Sequence, residues 1–573
     1  MHTKVTSLIL FVLLFALGST VLAQGPVPIV TPTYIDSAVY NGIYRGHQSQ
    51  IFCEPTTGNL IVAWYRYYSG QPNPRRITAA VSTDGGQTWT IYENINQGVG
   101  TEMNARYASV WGTTTTPLIV YADRNPEGPD QDSRPVLAYD VLGWGGGLFD
   151  NIMIDNSGSA DTVLYSRYNS ISVAPDNPNL MAVGSYHNAA PGEGLYCYIS
   201  TDGGFNWSAP HVVASAVPAD SGAPNWVHDL SSSGLGVTCG PNNELMAVGL
   251  AKIQKDDMWR LIYSHSSDGG QTWSAISGIP GSESLTFQNS DVYRNFSNPI
   301  LDNAGNWHIF GLGFDTTLAH TSSGVPGDQP YRAYDLRFDG TTWSINEFVL
   351  PQLLVNGLAA WGDLPPDLER HPMNDPAIGP DGTLYYCYSD VVDTTGSHGD
   401  PKLFNFNMFI VFSEDNGDTW QGPVSVLDHW VGQSPNGMAR IATDKLHIVY
   451  RKECDPHTDQ LYYMGVPTDT VKSIVGIQPP LTRIMPEKFN LHQNYPNPFN
   501  PTTTIRFDLT RDAHVTLTIY NALGQEVTTL VNQRMTAGFK AVVWDASQMP
   551  SGTYFYTLKA GDFTATRKML LVK

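Results

Sequence analysis

A ten-residue phrase built around Asp, Gly and Trp recurs four times in this chain of 573 residues. The copies read VSTDGGQTWT from residue 81, ISTDGGFNWS from 199, HSSDGGQTWS from 265 and FSEDNGDTWQ from 412. Their aspartates lie 118, 66 and 147 residues apart, which is close to two, one and two periods of a single repeat. Repetition on this scale indicates a solenoid or a propeller, because each repeat buries its apolar surface against the next.

Each repeat has the pattern of four short strands. A strand such as SISVAPD turns into a strongly apolar second strand such as NLMAVGSY, and a third strand such as LYCYIS runs into the recurring phrase and a fourth strand. Two degenerate copies of the phrase lie in the long intervals between complete copies, YDVLGWGGGLFD at 139–150 and LRFDGTTWSI at 336–345. Four antiparallel strands per repeat predict an all-β propeller with seven blades, or alternatively six. The units begin near residues 45, 106, 167, 229, 294, 370 and 440.

The last unit is incomplete. ARIATDKLHIVYRKE and QLYYMGV supply three strands from residue 439 onward, and no copy of the phrase follows them. We expect the N-terminal segment PIVTPTYIDSAVY to supply the missing strand, because pairing it there closes the ring and removes an exposed sheet edge.

The recurring phrase is expected to act as a turn staple between the third and fourth strands. Its aspartate can accept backbone N–H bonds across a tight turn, its glycine tolerates a positive φ, and its tryptophan can fold back onto its own blade. Catalysis is not expected there, since the degenerate copies would have lost it. The structural residues predicted in this way are Asp84, Trp89, Asp202, Trp207, Asp268, Trp273, Asp415 and Trp420.

The phrases resemble Asp-boxes, also called bacterial neuraminidase repeats, which occur in sialidases and in other extracellular propellers. The resemblance covers roughly residues 27–467 and implies a β-propeller fold. Since Asp-box propellers include enzymes and non-enzymes, two functions stay open. One is an exo-sialidase-like glycoside hydrolase acting on acidic, sialylated glycans. The other is a non-catalytic propeller that binds an extracellular glycan or glycoprotein.

The N-terminus has the pattern of a signal peptide. Lys4 precedes the apolar run LILFVLLFALG, and the small residues of VLA are suited to cleavage after Ala23. The run is too short for a membrane anchor and no second candidate follows, so we expect no transmembrane span in the mature chain. The expected divisions are a signal peptide (1–23), a propeller (24–467), a linker (468–487) and a C-terminal module (488–573).

The C-terminal module is predicted to be a small immunoglobulin-like β-sandwich. Alternating strands such as HVTLTIYNALGQEV and GTYFYTLKAG are separated by glycine turns. YPNPFNP at 495–501, YNALGQEV at 520–527, SGTYFY at 551–556 and the pair Arg567–Lys568 resemble the C-terminal sorting domain of type IX secretion. The resemblance implies export to the outer cell surface or beyond, with the type IX machinery as partner. The alternative is a resident adhesive domain.

Composition narrows the partners and the redox chemistry. A net charge of −21 at pH 7 without a basic patch repels polyanions, so nucleic-acid binding is not expected. The cysteines are too few for a disulfide framework. Most lie among apolar strand residues and are predicted to be buried thiols, while a bridge such as Cys197 to Cys239 stays open. The five are Cys53, Cys197, Cys239, Cys387 and Cys454.

Arginines recur at the beginning of the first strand in six units. In an aligned propeller they would surround one mouth of the central channel, where a carboxylate could be held by bidentate guanidinium groups. Each arginine could equally pair with an acidic side chain of the neighbouring blade. The six are Arg45, Arg106, Arg167, Arg294, Arg370 and Arg440.

The resemblance to sialidases implies an arginine clamp, an acid/base aspartate and a nucleophilic tyrosine activated by a glutamate. The first-blade signature is retained only as YRGH at 44–47, and no carboxylate closely follows Arg66, so the catalytic set is incomplete. Tyr388, or Tyr450 with Glu453, could be the nucleophile, or each could be a strand aromatic. The candidate catalytic residues are Arg45, Arg294, Arg370, Arg440, Tyr388, Tyr450 and Glu453.

One acidic loop could hold calcium. DRNPEGPDQD at 123–132 clusters four carboxylates, and oxygen ligands suit this ion, although a solvated loop has the same composition. No pair of histidines has metal-ligand spacing, so we expect no required cofactor. The four acidic residues are Asp123, Glu127, Asp130 and Asp132.

Overall fold

The structure is a computed structural model, and its described residues are almost entirely β. Within them the secondary structure includes one helix, α1 (Thr468–Val475), and no helix is long and apolar enough to span a bilayer. The predicted all-β class is confirmed, while the predicted signal peptide lies outside the described ranges. These ranges are 30–39, 50–67, 75–96, 105–124, 133–155, 166–189, 192–216, 227–231, 234–253, 258–287, 296–315, 332–348, 376–393, 405–428, 433–455, 458–475, 488–494, 497–535 and 537–573.

Seven sheets follow one another along residues 33–467, as far as the chain is described. The first strand of the chain is β1 (Thr33–Val39). The first three sheets contain β2 (Ile51–Cys53), β3 (Leu60–Tyr67), β4 (Arg75–Ser82) and β5 (Thr90–Tyr92); β6 (Arg106–Gly112), β7 (Pro117–Arg124), β8 (Ser133–Asp140) and β9 (Phe149–Met153); β10 (Ser166–Val173), β11 (Met181–Ala189), β12 (Gly192–Ser200) and β13 (His211–Ser215).

The fourth and fifth sheets each take five strands from this part of the chain. They are β14 (Val227–Leu230), β15 (Gly236–Cys239), β16 (Leu245–Ile253), β17 (Trp259–Ser266) and β18 (Ser277–Gly278); β19 (Leu285–Phe287), β20 (Ile300–Leu301), β21 (Trp307–Asp315), β22 (Arg332–Phe338) and β23 (Trp343–Phe348). The sixth sheet contains β24 (Pro376–Ile378), β25 (Leu384–Asp393), β26 (Asn405–Ser413) and β27 (Gln421–Asp428). The seventh combines β28 (Gln433–Met438), β29 (Lys445–Asp455) and β30 (Thr458–Pro467) with β1.

The second strands of the sheets are strongly apolar because neighbouring sheets cover them on both faces. In β3, Leu60, Ile61 and Val62 are fully buried and Trp64 is 1% exposed. The first seven residues of β16 are buried as well. A strand covered on both sides has a continuous apolar run rather than an alternating one, which is the pattern seen in the sequence.

Each sheet contacts the next one along the chain. β2 and β3 contact β6, β6 contacts β10, and β10 contacts β15. β17 contacts β19, β20 contacts β24, and β25 contacts β28. The seventh sheet returns to the first through contacts of β2 with β28 and β29. The sheets therefore form a closed ring, and its innermost strands are β2, β6, β10, β15, β20, β24 and β28.

The seventh sheet is completed by the N-terminal strand, as the sequence predicts. β1 pairs antiparallel with β30, with Thr33 opposite Tyr463 and Val39 opposite Thr458. The sheet order is β1–β30–β29–β28, so β1 is the outermost strand. This pairing covers the outer edge of β30 and joins the two ends of the ring in one sheet.

The C-terminal residues form two more sheets around an apolar core. The strands are β31 (Asn490–Leu491), β32 (Thr502–Leu509), β33 (Ala513–Asn521), β34 (Glu526–Met535), β35 (Gly538–Asp545), β36 (Gly552–Ala560) and β37 (Phe563–Leu571). One sheet contains β31, β32 and β35, and the other has the order β34–β33–β36–β37. Phe507, Leu517 and Tyr556 are fully buried in the shared core. β35 also pairs with β23 and so joins the first of these sheets to the ring.

The segment predicted to be a linker, 468–487, begins with a helix, which corrects the prediction for residues 468–475. Val471 of α1 is fully buried. Lys472 Nζ lies 2.6 Å from Asp381 Oδ2 and 3.2 Å from Glu414 Oε1, so the helix is fixed to the sixth sheet. Residues 476–487 lie outside the described chain.

Four cysteines are buried thiols, which confirms the prediction for them. Cys53, Cys197, Cys239 and Cys387 are free, including the pair for which a bridge stayed open. Burial raises the pKa of Cys53 and of Cys239 to about 12, so both thiols are protonated at neutral pH. The side chain of Cys454 lies outside the described part of the structure.

Candidate functional site

The recurring phrase forms the turn between the third and fourth strands, as predicted. Asp84 Oδ1 accepts the backbone N–H of Gln87 at 3.0 Å and of Thr88 at 2.9 Å, and Asp84 Oδ2 accepts Thr88 Oγ1 at 2.6 Å. Ser82 Oγ accepts the N–H of Gly86, whose φ is 89°. Bonds of the same kind recur around Asp202, Asp268 and Asp415.

The tryptophans of these corners pack onto the preceding sheet, which corrects the expectation that each covers its own blade. The ring pairs are Trp89 with Tyr463 (5.3 Å between ring centres), Trp273 with His211 (5.1 Å) and Trp420 with Phe348 (4.5 Å). Trp207 packs against the core shared by the first three sheets. The degenerate corner of the fifth sheet does the same, with Trp343 against Tyr263 of the fourth at 4.7 Å. Each corner thus stabilises a joint between two sheets.

The corner carboxylates are acceptors rather than proton donors. Hydrogen bonds donated by Thr88 lower the pKa of Asp84 to about 2, and those donated by Thr272 do the same for Asp268. A general acid at neutral pH needs a much higher pKa. Because strand direction alternates, the corners also lie at the end of the ring opposite to the end where the innermost strands begin. The corners are therefore structural and separate from the candidate site.

Arg440 crosses the centre of the ring. It follows β28, yet its Nη1 donates to Thr238 Oγ1 of the fourth sheet at 2.9 Å and its Nη2 to the backbone oxygen of Ile171 in the third at 2.8 Å. Its Cζ lies 4.3 Å from the centre of the Trp111 ring in the second sheet. The side chain is 3% exposed. Since one guanidinium connects four sheets, we assign Arg440 a structural role instead of the expected role as a ligand clamp.

Arg106 and Arg167 occupy matching positions in neighbouring sheets. Each lies at the beginning of an innermost strand, β6 or β10, and the pairing register shifts immediately after it. The next residue has a positive φ in both sheets, 58° for Tyr107 and 51° for Tyr168. Such backbone strain costs about 1–3 kcal/mol and persists where the surroundings hold it, and bulges are frequent beside functional sites. The other candidate arginines, Arg45, Arg294 and Arg370, lie outside the described residues.

The two strained tyrosines pack together, so the bulges that contain Arg106 and Arg167 adjoin each other. The rings of Tyr107 and Tyr168 lie 4.3 Å apart at 49° and form a small cluster with Ala122. Gly234 of the fourth sheet approaches so closely that a Cβ there would meet the backbone oxygen of Tyr168 at 2.6 Å. Arg106 and Arg167 are themselves partly exposed. Three sheets thus support the two bulges at what we call the arginine end, where the innermost strands begin.

The opposite end of the ring is built from short turns. Because neighbouring strands are antiparallel, the corners and the connections between first and second strands lie there, and they are as short as 302–306 and 339–342. The arginine end carries the bulges beside Arg106 and Arg167, and bulges are frequent next to functional sites. The arginine end is therefore the candidate functional site.

A buried polar network that the sequence analysis missed joins the second and third sheets. Tyr198 Oη donates to Asp155 Oδ2 at 2.7 Å and lies 3.3 Å from His187 Nε2, and Arg134 Nη1 lies 3.4 Å from Asp155 Oδ1. None of the four residues is more than 4% exposed. Burial lowers the pKa of His187 to about 4, so its ring is neutral at pH 7. Three members come from separate strands and Asp155 follows β9, and nothing in the sequence marks them as a group.

The candidate nucleophiles are buried strand aromatics. Tyr388 is 1% exposed and stacks on Phe409 with 5.4 Å between ring centres. Tyr450 is 2% exposed and stacks on Tyr462 at 5.5 Å, and burial raises its pKa above the ordinary value. A nucleophilic tyrosine must lose its proton, which this environment opposes. Glu453 lies in the same strand as Tyr450.

The acidic loop is described at its first residue. Asp123 is fully buried and accepts a hydrogen bond from Asn96 Nδ2 at 2.9 Å. Glu127, Asp130 and Asp132 lie outside the described residues. In the part of the chain that is described, no three His, Cys, Asp or Glu side chains are grouped so that they could hold a metal ion. Calcium binding stays a prediction.

Comparison with known families identifies the C-terminal module. Residues 493–573 match the family model of the secretion system C-terminal sorting domain. These residues are a type IX sorting domain. The sorting domain indicates secretion to the cell surface or outside, as the sequence predicts, and implies an interaction with the secretion machinery. Among curated proteins, no sequence matches the chain.

Several solved structures resemble the chain at low identity. A polysaccharide lyase of family PL25, an ulvan lyase, is 11% identical, with a TM-score of 0.48 over 77% of this chain and 99% of the lyase. Trypanosoma rangeli sialidase is 12% identical, with a TM-score of 0.33 over 94% of this chain and 90% of the sialidase. An endo-arabinase from Bacteroides thetaiotaomicron has 11% identity and a TM-score of 0.30. Likenesses at this level carry no argument about activity.

Proposed function

We propose that residues 24–467 form a seven-bladed β-propeller and that the sorting domain is an immunoglobulin-like sandwich. The cyclic order of contacts among the seven sheets and the pairing of β1 with β30 support seven blades rather than six. The two sheets around one apolar core support the sandwich. The Asp-type corners then lie on one end of the propeller and leave the arginine end for a ligand.

The propeller binds an acidic glycan at the arginine end, and the chain is a secreted glycan-binding protein. The observation that carries this proposal is the repeated bulge after Arg106 and Arg167, whose strained tyrosines pack on each other across two neighbouring sheets. Two neighbouring guanidinium groups suit a carboxylate, because each offers a planar fork of donors. Sialic and uronic acids supply such a carboxylate on an otherwise neutral polar ring.

Binding without bond cleavage is favoured over exo-sialidase activity. Arg440 holds four sheets together through its contacts, so it is a poor clamp for a ligand. The burial of Tyr450 raises its pKa, so it is a poor nucleophile. A hydrolase would have to draw its clamp from Arg45, Arg294 and Arg370. Turnover of a sialylated substrate is therefore the outcome that would replace this proposal with the hydrolase.

The test measures binding of sialyllactose and of a uronic-acid oligosaccharide to the secreted chain by calorimetry, beside a fluorogenic sialoside assay. We expect Arg106→Gln and Arg167→Gln each to weaken binding about tenfold or more, since a hydrogen bond to a charged group contributes about 1.5–3 kcal/mol. Arg511→Gln, an exposed arginine of the sorting domain, is the matched control and should change nothing. Equal binding by all three variants would refute the site.

We also propose that one acidic loop binds calcium through the carboxylates of Asp123, Glu127, Asp130 and Asp132. If their loop holds the ion, removal of calcium with a chelator lowers the thermal midpoint of the secreted chain, and added Ca²⁺ but not Mg²⁺ restores it. An unchanged midpoint would leave the loop as a solvated acidic segment.

A further inference from the structure

The sorting domain is joined to the propeller by strand pairing. β35 lies antiparallel beside β23, with Trp343 opposite Ala541, Ser344 opposite Lys540, and Ile345 opposite Phe539. The pairing makes one continuous sheet of eight strands from the fifth propeller sheet and β31, β32 and β35. The outer edge of β23 and the edge of β35 are thereby occupied together.

The outermost strand of the fifth sheet is almost entirely buried. Every residue of β23 except Glu347 is buried, with Trp343 at 2% and Ile345 at 8% exposed. The outermost strands β5, β9 and β18 contain no buried residue, whereas β13 and β27 are buried in part. Trp343 packs on Tyr263 and Phe348 packs on Trp420 within the ring, and the backbone edge of β23 is closed by its pairing with β35.

Charges of opposite sign face each other across this seam. Arg506 Nη1 of the sorting domain lies 3.3 Å from Glu283 Oε2 of the propeller. A cavity of about 230 Å³ lies at the seam. The propeller lines it with Asp339, Asp415, Asp418 and Arg337, and the sorting domain lines it with Arg534 and Lys540. Lys540 is 5% exposed, so its ammonium group is removed from bulk water by this contact.

The two parts of the chain also differ in net charge. Residues 488–573 hold nine Lys and Arg against five Asp and Glu, a net charge of +4 at pH 7. With −21 for the whole chain, residues 1–487 have a net charge of −25. Complementary fields favour association at this seam and make it sensitive to salt.

We propose that the edge of β23 is a strand-acceptor surface and that its ligand is β35 of the chain's own sorting domain. The sorting domain is then already docked on the propeller when the export machinery binds it. In the docked state the edge of β35 is closed to any other strand. A partner that pairs with the edge of β35 must first displace β23. Removal of the sorting domain then leaves the backbone edge of β23 open on the propeller.

A disulfide across the seam tests the docking in the full chain. Residues directly opposite in an antiparallel pair have Cα atoms about 4.5–5.5 Å apart, which is within reach of a disulfide. A protease site is inserted within residues 476–487, and the oxidised Ser344→Cys/Lys540→Cys variant is cleaved there. We expect the two fragments to remain linked on a non-reducing gel and to separate under reduction.

The controls use the same cleavable chain. Ser344→Cys paired with Lys559→Cys, on the other sheet of the sandwich, should give no link, and neither should Lys540→Cys alone. No link in the opposite pair, in protein with an unchanged melting curve, would overturn the docking. Equal linking in both pairs would overturn the register.

Hydrogen exchange gives a second measurement that needs no substitution within either domain. The amides of β23 should exchange at least tenfold faster once the chain is cleaved and the sorting domain is removed at high salt. Those of β27 in the sixth sheet serve as the internal reference and should not change. Unchanged protection of β23 after removal would overturn the proposal even where the cysteine variants fail to fold.

Discussion

Replacement of Arg440 by methionine tests whether this arginine holds the propeller together. Hydrogen bonds from a charged donor contribute about 1.5–3 kcal/mol each, and Arg440 makes two close ones, to Ile171 and Thr238. The stack on Trp111 in a buried setting adds about 2 kcal/mol. Methionine restores part of the apolar contact, so we expect Arg440→Met to destabilise the propeller by about 4 kcal/mol. That is a large share of the 5–15 kcal/mol stability of an ordinary domain.

The assay is urea unfolding followed by tryptophan emission. Thirteen of the 14 tryptophans lie in residues 24–467, so the signal reports the propeller rather than the sorting domain. Arg440→Lys keeps the charge but cannot span both acceptors, and its midpoint should fall between the wild type and Arg440→Met. Arg511→Met, at an exposed position, should stay within about 0.5 kcal/mol of the wild type. An unchanged midpoint in Arg440→Met together with lost glycan binding would refute the structural role and return Arg440 to the ligand site.

Three further perturbations follow from the contacts. Burial alone lowers the pKa of His308, but the charge of Asp335 and hydrogen bonds to Asp302 and Asp335 raise it to about 9. The stabilisation from protonated His308 is complete below the unfolded pKa near 6.5 and is lost as pH rises through 9. The difference in melting point between the wild type and His308→Gln should therefore shrink from pH 6 to 9.5, and a constant difference would contradict this argument. Trp420→Ala should cost about 3–5 kcal/mol by circular dichroism melts, because Trp420 is buried against Phe348, while the partly exposed Trp207→Ala should cost clearly less. Asp84→Asn should lower the melting point slightly at pH 7. Because the folded pKa of Asp84 is depressed to about 2, the stabilisation by its carboxylate is present above the ordinary pKa near 3.8 and should vanish as pH falls through 2. A lower melting point of the variant that persists below pH 2 would argue against the corner hydrogen bonds.

The local features of the fold could be read from the sequence. The corners around Asp84 and Asp268 depend on residues within a few positions of one another, and their pattern predicted the hydrogen bonds that the structure has. The closing strand β1 was predictable as well, since the last unit lacked a strand and the N-terminal segment offered one. The four buried thiols followed from their apolar neighbours.

The sequence did not predict which sheet a given side chain contacts. The tryptophan of a corner can cover either its own sheet or the preceding one, and the local pattern is identical in both cases. Trp89 meets Tyr463 because ring closure brings the seventh sheet beside the first. Arg440 recurs at the same repeat spacing as the other arginines, yet its partners lie about 200 and 270 residues away.

The sequence by itself determined the strand repeat, the turn chemistry and the sorting domain, because each of these is written in residues that are close along the chain. Only the tertiary structure decided which arginine fills the centre of the ring, which two bulges adjoin each other at its mouth, and which sheet edge pairs with β35. Those outcomes depend on how seven sheets pack around one axis, and side-chain partners across that axis leave no periodic trace in the sequence.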